Sequence, residues 1–593
     1  MDLRSESRSA RIVGTFVLLV WAAFVVHAAW YVANYGSPVA TRDDMELLPA
    51  LLPGATPRAI LTHLWLPLNE HRILLPQFLH FLAVGGTHDF RAGGHVQVGL
   101  LAIAALACIL TAKRLRGSTR LEDALFPMLL LNWGNGENLL LGTQICIALA
   151  ILLSTIAACA LVWTPGPPSG RRIAVVGACA VLLPLSSGFG LCPAPAFAAW
   201  LAAAGVGAVR TRRRGAALGA FAATAACVVC IALCLRGIHH LAPPQEGRRV
   251  DIGAAIVLQV LAMGFGGAAT FHPRSALFAA IACTTCLAAW IVRGARAPVA
   301  DRWRAFGLAV VFGAAFLLAL SIAWSRQTEW PEAGWAARYA LATSPFVIAT
   351  VFGAVLFGGR AGRVFVGVLA LVSLVAMPAE LARGRAFAEE HALIVEPFVA
   401  GVEAALTVEE LARINAGPLY PTERALRDRI EMLRRLRFPP YDERREGEQR
   451  PSVEIGVPFA LLRSARPPIA RRIGGVEVTT ALAPAVFAVE LPESASRAEF
   501  FVAIPRFAYS SDRAQDEHTL GVRYRVVQTF ADRPERELAT RTLLPDRSQA
   551  DRGLQLVSVA LEAGGGRLEL RVESVSNERA GTDWLGVSRM GTR

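Results

Sequence analysis

Residues 12–32 read IVGTFVLLVWAAFVVHAAWYV, and residues 41–46 read TRDDME. The first run carries no Asp, Glu, Lys or Arg, and it is long enough for a helix to cross the hydrocarbon of a bilayer, which takes about 20 residues. Arg4, Arg8 and Arg11 precede it, and Trp21, Trp30 and Tyr31 sit along it as interfacial aromatics do. With those aromatics and no small-residue cleavage site, the run reads as an uncleaved anchor rather than a signal peptide. Its basic flank puts the N-terminus in the cytoplasm, and residues 34–95 then form a first external loop.

An apolar run followed by a short basic loop recurs up to about Met377. Lys113-Arg114-Leu115-Arg116, Arg171-Arg172, Arg210 to Arg214, Arg293 to Arg304 and Arg360 to Arg363 read as cytoplasmic loops. Spans compatible with them are about 95–112, 121–133, 144–163, 173–187, 195–210, 216–236, 275–292, 305–323, 340–358 and 363–379. With the first helix that makes about eleven, an odd number, so the tail is expected outside. Ile73 to Val84 and Ile252 to Gly267 would break the alternation as full spans and read as interfacial or re-entrant helices.

Composition points the same way. The 593 residues are 54% hydrophobic and 18% charged, below the quarter usual in soluble proteins, and mean hydropathy is +0.43. A net charge of +13 invites a nucleic-acid reading. The arginines cluster at the ends of apolar segments instead, as topology signals do, and that partner class is excluded. Lys113 is the only lysine, a bias of GC-rich bacterial genomes, so the expected location is a bacterial inner (cytoplasmic) membrane. All ten cysteines lie between Cys108 and Cys286 in or beside apolar runs, with no His or carboxylate beside them. They read as small packing groups rather than a metal or redox site.

Beyond the spans, residues 381–450 read as an external helical linker, with Thr407-Val-Glu-Glu as a capping box and Pro439-Pro440 as a stop. From Pro451 the period changes to two, in Val476-Glu-Val-Thr, Phe500-Phe-Val-Ala-Ile, Val522-Arg-Tyr-Arg-Val-Val, Leu556-Val-Ser-Val-Ala-Leu and Leu568-Glu-Leu-Arg-Val. Short alternating strands at this spacing predict an antiparallel sandwich. The expected fold is therefore a polytopic α-helical membrane domain over 1–380, the linker, and a C-terminal antiparallel β-sandwich over 451–593.

Three polar islands fall on the external side. The first holds Asp43 and Asp44, then Asn69, Glu70, His71 and Arg72; the second is Asn132 to Asn138, with Glu137 and Asn138, followed by Gln144; the third runs from Ser325 to Arg338 and Tyr339. Paired carboxylates serve as a general base or as metal ligands, and an arginine at a membrane surface can clamp a phosphate bidentately. The plainer reading of the first island is a solvated loop whose Asp and Arg pair, and of Arg338 a snorkelling helix-end arginine.

An acidic pair directly after the first transmembrane helix, in a large external loop with juxtamembrane helices, resembles the GT-C superfamily of membrane glycosyltransferases. That group includes the protein O-mannosyltransferases and the lipid A aminoarabinose transferases. Asn69-Glu70-His71-Arg72 stands where those proteins have a second loop motif, and Ala337-Arg338-Tyr339 is similar to an Arg-Tyr element of theirs. Trp133 with Glu137, Asn138 and Gln144 is similar to a stretch of bacterial members. Asp43-Asp44 departs from the more usual Asp-Glu pair, which leaves open which Asp is the base. The resemblance covers about residues 10–380 and implies a polyprenyl-phosphate-linked sugar as donor, with an extracytoplasmic glycan, lipid or protein as acceptor. It implies inversion at the anomeric carbon, polyprenyl phosphate leaving against Arg72 or Arg338, and Glu70 and His71 orienting a substrate. Some members use a divalent metal and others none; no ligand set stands out here, so the metal is unassigned. Leu568 to Ser574, Asn577 and Thr582-Asp583-Trp584 resemble the last strands of jelly-roll, carbohydrate-binding-like modules, with Trp584 as a core anchor or a sugar platform.

The alternative from another class is a transporter or cell-envelope assembly protein with an external sandwich. Its best support is the Pro- and Gly-rich stretch from Pro184 to Pro195, a broken region between two spans. Topology gives the first test: a reporter active only outside the cytoplasm, fused after Tyr441, is expected to be active. A stable but inactive fusion would reverse the odd span count and the placement of Asp43 with it.

Overall fold

The computed structural model describes residues 8–68, 71–236, 250–326, 332–403, 406–441, 459–464, 469–473, 476–504, 521–545, 551, 553–575, 584–588 and 590–592. They fall into two compact units, Met1–Ala392 and Leu393–Arg593.

The first unit is helical. It opens with α1 (Arg8–Tyr35), the 3₁₀ turn Arg42–Leu47, α2 (Leu48–Leu51), α3 (Pro57–Trp65), the antiparallel hairpin of β1 (Pro67–Leu68) and β2 (His71–Arg72), α4 (Leu74–Thr87) and α5 (Arg91–Arg116). Then come the 3₁₀ turn Leu121–Ala124, α6 (Leu125–Leu130), the turn Trp133–Asn135, α7 (Gly136–Leu140), the turn Gly142–Gln144 and α8 (Ile145–Trp163). Next are α9 (Gly170–Leu182), the turn Leu183–Leu185, α10 (Gly188–Leu191), α11 (Ala194–Arg210) and α12 (Arg214–Leu235). α13 (Val250–Met263), the turn Gly267–Thr270, α14 (Pro273–Ala295) and α15 (Val299–Arg326) lead to the turn Ala333–Trp335, α16 (Tyr339–Ala342), α17 (Ser344–Phe357) and α18 (Gly359–Glu403).

Among the described residues nine helical stretches are long and apolar enough to cross a bilayer. Two stretches expected as spans, 121–133 and 173–187, are not single helices. The first is divided between a 3₁₀ turn, the six-residue α6 and the start of a second turn; the second is α9 followed by a 3₁₀ turn at Pro184. Both nevertheless pass from one end of the bundle to the other. The C-terminal ends of α5 and α8 meet where the Arg114 guanidinium lies 5.0 Å from the Trp163 ring, whereas Gln97 near the start of α5 donates to Leu141 O at 2.6 Å. α5 and α8 are therefore parallel, and the short pieces between them make the return crossing. Likewise Arg172 at the start of α9 donates to Thr164 O, while Gly188 beyond its end packs on His71. α4 and α13, with 14 residues each, are too short to span, as expected.

One end of this bundle collects the arginine loops. Arg114 and Arg304 both reach Trp163, Arg213 donates to Pro168 O, and Gly166 N–H bonds Ala300 O. The opposite end gathers the three polar islands.

The second unit contains α19 (Val408–Asn415), with the Thr407–Glu410 capping box in place, α20 (Glu423–Leu436) and two antiparallel sheets. The strands are β3 (Ala460–Ser464), β4 (Ile469–Ile473), β5 (Val476–Leu482), β6 (Ala485–Leu491), β7 (Arg497–Ile504), β8 (Val522–Thr529), β9 (Arg536–Leu543), β10 (Gly553–Ala560), β11 (Gly566–Ser574), β12 (Trp584–Val587) and β13 (Gly591–Thr592). One sheet runs β10-β7-β12-β5-β4 with β13 also on β7, the other β3-β6-β11-β8-β9. Period two decides what is inside: on β11, Leu568, Leu570 and Val572 are buried, while Arg571 between them pairs with Glu569 and Glu535 at the surface. Trp584 opens β12 opposite Leu482, and Asn577, Thr582 and Asp583 lie outside the described residues.

Phe487 and Phe500 are fully enclosed in the single core shared by the two sheets. Phe487→Ala is expected to lower the unfolding free energy of this unit by about 3–5 kcal/mol, read from denaturant melts of the full chain followed by the β-sheet circular-dichroism signal.

Candidate functional site

The Asp43-Asp44 pair lies on the 3₁₀ turn after α1, and its two carboxylates have different surroundings. Asp44 is 3% exposed and accepts the Thr143 N–H at 2.7 Å, so it ties this turn to the turn Gly142–Gln144 at the start of α8. Asp43 is only half-buried and lies within electrostatic reach of Cys146 in the first turn of α8.

The close approach requires glycine. A Cβ on Gly142 would stand 2.5 Å from His80 Nε2 and 3.1 Å from Asp44 Oδ1, and one on Gly93 would stand 2.7 Å from Gly142 Cα. Burial pushes the Asp44 carboxyl up to about 7, with Asp43 adding to the rise, against the N–H groups of Thr143 and Gly142 and the Thr143 hydroxyl. Burial pushes the His80 imidazole down to about 4, so it packs as a neutral ring.

Upstream, Thr41 is buried with its hydroxyl 3.3 Å from His391 Nε2 on α18. With Thr41 and Asp44 both fixed, the chain turns between them through Arg42 at φ +48°, a left-handed conformation that costs a side-chain-bearing residue free energy. The Arg42 guanidinium is exposed and makes no ion pair or hydrogen bond among the described residues.

The other expected residues are distributed as follows. His71 packs on α10, where a Cβ on Gly188 would stand 2.6 Å from its ring. On the far side of α10, Phe189 meets the Tyr339 ring at 6.2 Å. Arg338 pairs with Glu137 at 3.6 Å and lies over the Tyr339 ring, and Asn138 Nδ2 donates to Arg338 O at 3.2 Å. Gln144 closes the turn that holds Asp44. Contacts thus link the three islands in one chain, from Asp44 through Thr143 to the start of α8, where the Cys146 carbonyl accepts from Ser187, and on to Gly188, His71, Tyr339 and Glu137.

Two expectations change. Arg72 is not an open phosphate clamp: its guanidinium donates to Trp65 O at 2.5 Å and Arg236 O at 2.8 Å and stacks on Trp65, so it staples the hairpin to the end of α12. The Asn132–Asn138 stretch, expected as a polar island on the external side, is packed inside. Asn132, Asn135 and Asn138 are all buried, because Gly134 and Gly136 let the chain pack against α18 and α1. Asn69 and Glu70 lie outside the described residues. Sequence reasoning missed Arg42, His80, Gln97 and Glu380; the buried polar residues His80 and Gln97 differ from their apolar helices only in being polar, which signals burial or function equally.

No three His, Cys, Asp or Glu side chains gather to hold a metal ion among the described residues, and the bonds Asp44 makes to Thr143 and Gly142 leave it poorly placed as a ligand.

The fold and site define a polytopic helical unit with a polar, acid-bearing end, joined to an antiparallel β-sandwich. No protein-family model and no curated protein matches the chain. Among solved structures it is similar to the arabinosyltransferase EmbB from Mycobacterium smegmatis, at 12% identity and a TM-score of 0.38 over 100% of this chain and 66% of that one. It is also similar to the CBM51 of a Clostridium perfringens GH95 protein, solved in complex with methyl-galactose, at 11% identity and a TM-score of 0.18 over 23% of this chain and 95% of that one. A third is the M60 catalytic domain with two CBM51 domains of Clostridium perfringens ZmpB, at 12% identity and a TM-score of 0.15 over 23% of this chain and 13% of that one. Likeness at this level carries no argument about activity.

The Asp44 environment gives a pH signature. A carboxyl that titrates near 7 folded, against 3.8 as the unperturbed group, binds its proton more tightly in the folded state. Its contribution is present below pH 3.8 and lost as pH rises towards about 7. Asp44→Asn keeps an oxygen for the Thr143 N–H and has no proton to lose. Across that window the wild-type melting temperature should fall relative to that of D44N; parallel curves would show that Asp44 does not titrate there.

Proposed function

We propose that this chain is a membrane glycosyltransferase that moves a sugar from a polyprenyl-phosphate donor to an extracytoplasmic acceptor, with Asp43 as its base. The observation that carries the reading is the asymmetry of the acid pair. Asp44 has its oxygens committed to the turn at Thr143, and Asp43 is half-buried beside Arg42, which has no ion-pair partner among the described residues. In the proposed step the Asp43 carboxylate takes the proton from an acceptor hydroxyl. That oxygen attacks the anomeric carbon, the new C–O bond forms with inversion, and the bond from carbon to the phosphate oxygen breaks. Polyprenyl phosphate departs with the electron pair, its charge met by Arg42 and by Arg338, which Glu137 and Asn138 hold in place. His71, and Glu70 beside it, are assigned to orienting a substrate. Asp44 is a positioning residue: it fixes the turn on which Asp43 stands.

In this reading the arginine-rich end of the bundle faces the cytoplasm of a bacterium and the acidic end faces out, so the donor enters sideways from the bilayer. Supporting that side assignment, loops 113–116, 164–172, 210–214 and 296–304 meet at one end, as a positive-inside pattern requires.

The test is transfer from a polyprenyl-phosphate sugar by membranes carrying single variants. Asp43→Asn should lose about 10²–10⁴ in rate while still binding the donor, and Asp44→Asn should lose less. If both variants keep full transfer or fully complement a deletion strain, the transferase reading falls and the transporter or assembly reading takes its place.

A further inference from the structure

Glu380 lies on α18, 2% exposed, and the proposed chemistry does not use it. Two loops close over it. A Cβ on Gly134 would stand 1.4 Å from Glu380 Oε2, and one on Gly266 would stand 2.1 Å from Oε1. One on Gly267 would stand 2.2 Å from Gly134 O, so the loops 132–136 and 264–270 also pack on each other. At Gly134 and Gly266 the carboxyl occupies the space a side chain would take, and at Gly267 the backbone of Gly134 does.

The hydrogen bonds of this carboxyl are lopsided. The backbone N–H groups of Gly267 and Ala268 donate to it, yet Oε2 has no partner and is fully buried. Asn132 Oδ1 is also buried without a partner, and both oxygens lie within 2.9 Å of the point where a Cβ on Gly134 would stand. The Asn132 amide cannot turn its nitrogen towards Glu380 at no cost. Its Nδ2 already donates to Met128 O at 2.7 Å and Leu129 O at 3.2 Å, capping the end of α6. Two buried acceptor oxygens therefore lie close to the same point with no donor on either. Among the described residues no Arg, Lys or His forms an ion pair with Glu380; Arg383, one turn further along α18, does not reach it. A buried, unpaired carboxylate is far costlier than a neutral acid, and an acceptor facing an acceptor adds repulsion.

We propose that Glu380 is held as the neutral carboxylic acid and donates its proton to Asn132 Oδ1, so that one side chain pins α18, the 132–136 loop and the 264–270 loop together. One oxygen accepts from the second loop while the hydroxyl donates to the first, which satisfies every polar atom of the group. Glu380 is a positioning residue. The 132–136 loop leads directly into α7, which carries Glu137 and Asn138. The 264–270 loop follows α13, whose Val260 O accepts from Thr343 beside α16. The inference rests on this packing alone and is independent of the transferase reading.

Glutamine matches the neutral acid in its heavy-atom shape, with a carbonyl for Gly267 and Ala268 and an amide N–H for Asn132. Full-length protein in detergent micelles, as wild type, Glu380→Gln and Glu380→Leu, supplies two readouts. The wild-type minus E380Q infrared difference spectrum should show the C=O stretch of a protonated carboxyl. E380Q should melt with the wild type, and E380L several degrees lower, because it leaves Asn132 Oδ1 and two backbone N–H groups unpaired. Carboxylate stretches in the difference spectrum, or an E380Q melting temperature as low as that of E380L, would show that the group is ionised and overturn the proposal. E380L melting with the wild type would show that no pin exists, with the same consequence.

Discussion

The carboxylate of Asp44 and the backbone N–H of Thr143 form the bond on which the acidic end of the bundle depends. It joins the first turn after α1 to the first turn of α8, two places almost a hundred residues apart, across a gap that only Gly93 and Gly142 leave narrow enough. A buried carboxylate that accepts backbone donors is expensive to bury and more expensive to strip of a partner, so the geometry it selects is well determined. Its neighbour inherits that geometry. Asp44 on one side and Thr41 on the other fix the backbone that carries Asp43. The left-handed backbone of Arg42 is the local cost of that arrangement.

Much of the architecture was legible in the sequence because two strong signals carry it. Long apolar runs closed by arginines marked the crossing helices, and the switch to alternation after Pro451 marked strands such as Leu568–Val572, whose inward and outward residues follow it. The broken crossings were less legible. Leu125 to Leu131 is apolar enough to suggest a helix, but the glycines and asparagines after it, read as an external polar island, turn out to be buried. Composition favours exposure for Asn; burial follows here from contacts with Leu129 O, Met128 O and Arg338 O that no local pattern encodes.

The site shows the same division. Asp43, Asp44, His71, Glu137, Asn138, Arg338 and Tyr339 were selected as ionisable or polar residues at the ends of apolar runs, and contacts do connect the elements that carry them. What the sequence could not supply was which of them are already occupied. Arg72 and Arg338 look alike in one dimension; in three, Arg72 is consumed by two carbonyls and a tryptophan face, while Arg338 has one acidic partner. Arg42 shows the converse, an arginine in plain view beside the acids whose availability depends on a backbone angle.

The parallel arrangement of α5 and α8 has a consequence for how the chain enters a bilayer. Between them the polypeptide must return across the membrane as a series of turns and very short helices, none of which satisfies its own backbone over a full crossing. A segment of that kind has no stable place in lipid by itself, because hydrocarbon offers nothing to its free N–H and C=O groups. It becomes soluble in the membrane only when α1, α5, α8 and α18 already surround it and supply side chains and carbonyls as substitute solvent. The crossing is therefore a late arrival, threaded into a chamber its neighbours have built, and the residues of the second polar island are carried into position by that final step of assembly.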